Sequence, residues 1–526
     1  MYARRPLIAA IALLLAFAIP ARAVAAIPEI TVIDIYPDED ESSYALDKSV
    51  NGQAAVGDRI FFSADSASGS SQLWVSDGTT AGTNLVKTIH PSGDDDVSYI
   101  VPFGDGVMFR ANDEVHGLEL WISDGTESGT HLVKDINPVV DTDESDGRTL
   151  MSDPIGLYNW NGVVYFMADD GVNGKELWKS DGTASGTVLV KNIADTDAPS
   201  YPADFVALGS RLLFTAQNDT YGNELWLTDG TTAGTQLVKD INPTGDSYPY
   251  QIVKSGNAIF FSAETGDYGD ELWKSDGTVS GTVLVADLVV GSGDSYISGG
   301  SLTAFNGGVV FRRLDFGGTT GSELWKSDGT AAGTMIVKDI NPGAGHSVPS
   351  SLSVMGDYVY FSANDGTVGT ELWRSDGTAA GTELVKDIYE GGASDNGASP
   401  INNSGIVGNG VHAYFFAQAP DGVGGTAQEI WRTDGTTAGT VQIGVAGLNS
   451  QSFCDSCNKP GILIAGNRVF FRTWTEAAQN ELGAFVDGAL PSTNRDGGIG
   501  AQLLVLAAGL TAAASLAVRL RERRAN

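Results

Sequence analysis

Cysteine, histidine and positive charge are all scarce in this chain. Two cysteines in 526 residues exclude a disulfide scaffold, which needs several bridges in place of a core. Cys454 and Cys457 stand in FCDSCNKPG. In an exported chain that spacing reads as a short-loop disulfide. A thioredoxin-like role lacks its βαβ setting, and two thiols with no histidine nearby make a poor zinc site. The five histidines, His90, His116, His131, His346 and His412, are scattered. They form no His/Ser/Asp arrangement, and no isolated carboxylate pair stands out. Lysine and arginine total 31 against 65 acids, a net charge of −34. Seven arginines and one glutamate lie in the terminal segments, so residues 27–498 carry about −40, a surface that attracts cations and disfavours nucleic acid.

Long apolar runs are confined to the two ends. Met1 to Ala23 has Arg4 and Arg5, an apolar run from Leu7 to Ile19, then Ala21-Arg22-Ala23, the pattern of a secretory signal peptide. Ile499 to Val518 is free of charge and is followed by Arg519, Arg521, Arg523 and Arg524. Twenty such residues span about 30 Å as a helix. The arginines place residues 519–526 in the cytoplasm and the body outside it. A polar linker, 489–498, joins the two.

What fills the body is a repeat. ELWRSDGTAAGTELVKDI begins at Glu371, and close copies begin at Gln72, Glu119, Glu176, Glu224, Glu271, Glu323 and Glu429. Their tryptophans are Trp74, Trp121, Trp178, Trp226, Trp273, Trp325, Trp373 and Trp431, about 47–58 residues apart, which suits propeller blades of about 40–50 residues. A β-rich run such as YVYFSA at Tyr358 precedes each motif. A unit therefore reads as four short strands, for example SSLSVMG, DYVYFSA, ELWRSDG and TELVKDI. Adjacent Leu372 and Trp373 point to opposite faces of a strand, so both faces must be covered. Blades stacked radially meet that demand, and each tryptophan then serves packing. In the SDGT turn, Gly377 takes φ > 0 and Asp376 accepts local backbone N–H bonds. An acid present in every copy reads as a turn residue rather than a catalytic one.

The ends of the body are complementary fragments. TVIDIYP, from Thr31, matches the close of a motif without its beginning. GNRVFFRT at Gly466 and ELGAFVDG at Glu481 match the middle of a unit, with Gly483 for the tryptophan. The expectation is an all-β chain, a single closed β-propeller over 27–488 with four-stranded blades. Nine is the best count and eight the alternative, with one blade shared by the two ends. Insertions at Asp141 to Leu150 and Glu390 to Gly405 fall between blades, where loops carry binding. Asp141, Asp143 and Asp146 are the candidate Ca²⁺ ligands, although DTDESDG places Asp146 where an EF-hand loop needs glycine. Solvated acidic loops are the competing reading, and no other cofactor is expected.

ELWxSDGT with its trailing GTxLVKDI resembles the ELWxxDGT repeat family of bacterial exported proteins, over roughly Thr31 to Gly488. The resemblance implies a secreted or surface repeat protein, with no activity to carry over. The end of the chain, Gly497-Gly498 followed by an apolar helix and arginines, looks like a bacterial C-terminal sorting signal. The function expected from the sequence is a non-enzymatic binding or structural module, displayed outside the membrane and facing an extracellular protein, glycan or cation. The alternative is a propeller-based extracellular enzyme, a hydrolase, lyase or quinoprotein-like protein.

Overall fold

The computed structural model describes residues 28, 30–33, 35, 44–45, 52–65, 71–91, 95–139, 150–194, 198–315, 319–388, 405–420, 426–443, 461–473 and 481–488. Among them there are only strands and turns, arranged as nine antiparallel sheets in chain order. The seventh shows the pattern: Ser350–Met355, Tyr358–Asn364, Thr370–Ser375 and Glu383–Lys386 pair in that order. These are the four strands read from the sequence. The first sheet carries a further short strand, Tyr44–Ala45, on the edge of Arg59–Asp65. The molecule is a nine-bladed propeller. The signal peptide, the linker, the 499–518 segment, the cysteines and the Ca²⁺ candidates all lie outside the described residues.

In the ninth sheet the fourth strand comes from the other end of the chain. Thr31–Ile33 pairs antiparallel with Glu481–Val486, in the register Thr31↔Ala484 and Ile33↔Leu482. Buried Ile33, Leu482 and Phe470 then pack with Ile60, Phe62 and Trp74 of the first blade. Equivalent apolar clusters join each blade to the next, such as Leu213, Leu225, Phe261 and Trp273 between the fourth and fifth. Seven motif tryptophans are buried, and Trp325 is half-buried. Removing such a side chain from water contributes about 1.5–3 kcal/mol, repeated at every seam.

A cation covers each of several tryptophans from the blade before. Lys134 Nζ lies 5.6 Å from the Trp178 ring centroid and donates to the Thr187 carbonyl at 2.9 Å. Lys239, Lys338 and Lys386 repeat the contact over Trp273, Trp373 and Trp431. The fifth blade has Ala286 where this lysine should be. There Arg313, in a position held by alanine in other blades, places its guanidinium 5.0 Å from the Trp325 centroid. The cation has changed strands, and the contact has survived.

Candidate functional site

The two rims of the propeller are built differently. On one rim lie the turns between third and fourth strands. In each, the motif aspartate accepts the N–H two residues on, as Asp376 does from Thr378 at 2.8 Å. Gly377 sits at φ 85°, and Ser375 and Thr382 hydroxyls meet at 2.7 Å behind it. The reading of this aspartate as a turn residue holds. Thr378 hydrogen bonds also pull its carboxyl below the usual range.

The opposite rim carries the hairpins between second and third strands and the crossings between blades. Its repeated element is the first residue of the motif, Glu, which the sequence reading passed over. Glu119 accepts N–H bonds from Ile136 and Ser152 and a 2.6 Å bond from the Ser152 hydroxyl. It therefore fastens the end of one blade to the start of the next. Glu224 does the same with Ile241, Asn242 and Ser247, and Glu323 with Ile340, Asn341 and Ser347. Burial raises the Glu119 and Glu224 carboxyls to about 7, against the lowering effect of these bonds. The first blade shows why a carboxylate is needed. Gln72 replaces the glutamate, and Asp95 replaces the serine. Asp95 then accepts the N–H groups of Ile89 and His90 itself.

Just after that serine the backbone turns left-handed. Asp96, Asp153, Tyr201, Tyr248, Tyr296 and Val348 all have φ between 41° and 52°, unusual for residues with a Cβ. The N–H groups of Tyr201, Tyr248 and Val348 are pinned to carbonyls of the third strand. A register shift in the innermost strand follows, as between Tyr250 and Val253. This geometry turns the side chain outward. In blades four, five and six that side chain is tyrosine: Tyr201, Tyr248 and Tyr296 are 46 %, 55 % and 42 % exposed. Tyr221 and Tyr268, on the hairpins of blades four and five, are exposed on the same rim. Among the described residues these five are the exposed tyrosines.

A polar cavity of about 500 Å³ opens beside them on the fourth blade. One wall is the hairpin, with Gln217, Asn218 and Asp219. The other is the crossing, with Asp240, Asn242 and Asp246. Asp246 Oδ1 accepts the Asn223 N–H at 2.6 Å, and its carboxylate is hydrogen-bonded to the Tyr248 phenol, which raises that hydroxyl's pKa. One oxygen of Asp240 is buried without a partner. In the fifth blade Asp270 accepts the Tyr250 hydroxyl, and its own N–H goes to Asp294 at 3.0 Å. Burial is the largest cause raising the Asp270 carboxyl, and the neighbouring Asp294 adds to it. This rim therefore presents carboxylates, amides and phenols together. Among the described residues no group of His, Cys, Asp and Glu is arranged to hold a metal.

A further cluster occurs once. Asp487, buried, receives Tyr414, lies 2.7 Å from His412 Nδ1 and 3.7 Å from Arg432 Nη1. It joins blades eight and nine where the ninth motif lacks its tryptophan.

No family model and no curated protein matches the sequence. Among solved structures, the crystal structure of puromycin hydrolase matches at 13 % identity and a TM-score of 0.37, over 72 % of this chain and 58 % of that one. A structure from a study of two prolyl endopeptidases matches at 13 % and 0.38, over 74 % and 55 %. A Mycobacterium tuberculosis puromycin-hydrolyzing peptidase matches at 12 % and 0.35, over 73 % and 60 %. The chain spans less than two thirds of the length of each. Against the expectation of a non-enzymatic module, these structures are of peptidases. At this identity the likeness is one of fold, and it brings no peptidase residue onto this chain.

Proposed function

We propose that this chain is an extracellular propeller enzyme, a hydrolase working at the tyrosine-bearing rim of blade four. The observation that supports it is the cavity in which Asp219 and Asp246 stand on opposite walls among amide side chains. Hydrolysis asks for one carboxyl group to give a proton to the leaving group and another to take one from water. Asp246 is held by a backbone N–H and suits the base. Asp219 faces it from the hairpin wall and is the second carboxyl. Amides of Gln217, Asn218 and Asn242 orient the substrate.

The chain is an exported protein of the ELWxxDGT type in this reading, with its signal peptide at 1–23. Its ring is closed by Thr31–Ile33, and 499–518 is an apolar helix that anchors the propeller or directs its sorting. The pairing of Thr31–Ile33 with Glu481–Val486 supports closure. The charge-free run followed by arginines supports the anchor.

The test is hydrolysis by the full-length protein of a panel of polysaccharides and peptides. Asp246→Asn keeps the oxygen that accepts the Asn223 N–H, so the fold survives while turnover falls by about 10²–10⁴. No turnover on any substrate, or equal turnover by Asp246→Asn, overturns the proposal.

A further inference from the structure

We infer that the substrate of this rim is a neutral polysaccharide, lying across the tyrosines of blades four to six. The inference rests on the hydrolase reading and names its substrate class.

Exposed tyrosine is the first part of the case. Tyr201, Tyr248 and Tyr296 occupy the same position in three consecutive blades, each held outward by a left-handed backbone with φ of 47°, 41° and 52°. The strain itself belongs to the scaffold, since Asp96, Asp153 and Val348 share it. The choice of tyrosine does not. It is confined to blades four to six, and the first two of these also carry Tyr221 and Tyr268 on the same rim, next to the cavity. A flat ring with a polar tip suits a surface that is apolar on one side and wet on the other. The C–H face of a pyranose offers the first, and its hydroxyls offer the second.

Polar chemistry is the second part. A hydroxyl both donates and accepts, and the cavity offers both. Asp219, Asp240 and Asp246 accept, and the Asn218 amide, whose oxygen already takes the Thr220 and Tyr221 N–H groups, donates. The Tyr248 phenol, bonded to Asp246, ties the ring to the cavity wall. Platforms repeated blade by blade match a ligand that itself repeats. The body's charge of about −40 repels acidic polymers, which leaves a neutral chain.

Calorimetry on the full-length protein decides the matter, using neutral α- and β-linked glucose hexasaccharides and glucose itself. One hexasaccharide binds, and glucose binds at least about tenfold more weakly. Tyr248→Ala and Tyr221→Ala each weaken the hexasaccharide by about tenfold, the effect of truncating an aromatic anchor. Val279→Ala, on the opposite rim, leaves it unchanged. Absence of binding by both hexasaccharides overturns the inference, as does unchanged affinity in both tyrosine variants. A proline-rich peptide bound in their place, with the same tyrosine dependence, overturns it too. The two readings fail separately. Tyrosine-dependent binding without hydrolysis sinks the hydrolase and keeps the ligand; Asp246-dependent peptide hydrolysis without sugar binding does the reverse.

Discussion

The two rims of this propeller share one scaffold and differ in what they repeat. On the SDGT rim the same atoms meet in blade after blade: Ser123 with Thr130, Thr228 with Thr235 and Ser375 with Thr382, all at 2.7 Å. On the other rim the buried glutamate, the serine it binds and the left-handed residue after that serine recur, while the side chains around them vary. The residue before the glutamate is Lys175, Asn223, Asp270, Ser322 or Thr370, and its partners change with it. Asn223 gives its N–H to Asp246, Asp270 to Asp294, and Ser322 to His346. Where every blade needs the same turn, one residue set answers. Where the side chain faces solvent or a ligand, the backbone fixes only its direction, and its identity is free to serve binding.

The repeated half breaks most severely at the seams. Trp273 packs against Leu213, Leu225 and Leu227 of the neighbouring blade. Trp273→Ala leaves a cavity between two blades and costs about 3–5 kcal/mol, read as a lowered denaturant midpoint. An unchanged midpoint would separate the tryptophan from the seam.

A second expected effect follows from the repeated glutamates of the variable rim. Burial raises Glu119, Glu224, Glu271 and Glu429 from 4.5 to about 7. Between those pH values the folded chain holds more protons than the unfolded one. Stability is therefore fully present below about 4.5 and falls as pH rises through about 7. Melting should occur at a lower temperature at pH 8 than at pH 5.5, and Glu224→Gln should flatten that slope. A melting temperature that rises across the interval would show that the hydrogen bonds, not burial, set these carboxyls.

Exceptions sharpen the contrast. At the seam between blades five and six, lysine became Ala286 and alanine became Arg313, and a cation still covers Trp325. Arg313→Ala should cost about 1–2 kcal/mol. Ala286→Lys added to it should recover most of that loss, a coupling that a double-mutant cycle measures. No recovery would make Arg313 a local substitution without a counterpart.

The fold was legible because its cause repeats. Eight tryptophans at near-constant spacing and two complementary chain ends yield nine sheets, including the pairing of Thr31 with Ala484. The glutamate staple was hidden because its partner, Ser152 for Glu119, lies 33 residues on. The exchange of Gln72 with Asp95 gave the clue, since one carboxylate vanished where another appeared. The tyrosine rim escaped for a different reason. Tyr201, Tyr248 and Tyr296 each follow a serine at matching places, but their exposure depends on a left-handed backbone that no residue type announces.

The smallest effect is also the sharpest test of the division between rims. Tyr268 lies at the tip of the fifth blade's hairpin, 40 % exposed. What holds the hairpin there is its backbone, through the Tyr268 N–H to Thr265 Oγ1 at 3.2 Å, and alanine keeps that bond. The ring belongs to none of the nine apolar clusters of the described residues. Tyr268→Ala should therefore change stability by less than about 0.5 kcal/mol, the ordinary result of a surface substitution. A chemical denaturation curve superimposable on that of the unsubstituted protein is the expected outcome. A loss above about 1 kcal/mol would mean that the ring supports its own hairpin. The tyrosines would then join the repeated half as structural residues, and the rim would lose its claim to be shaped by what it binds.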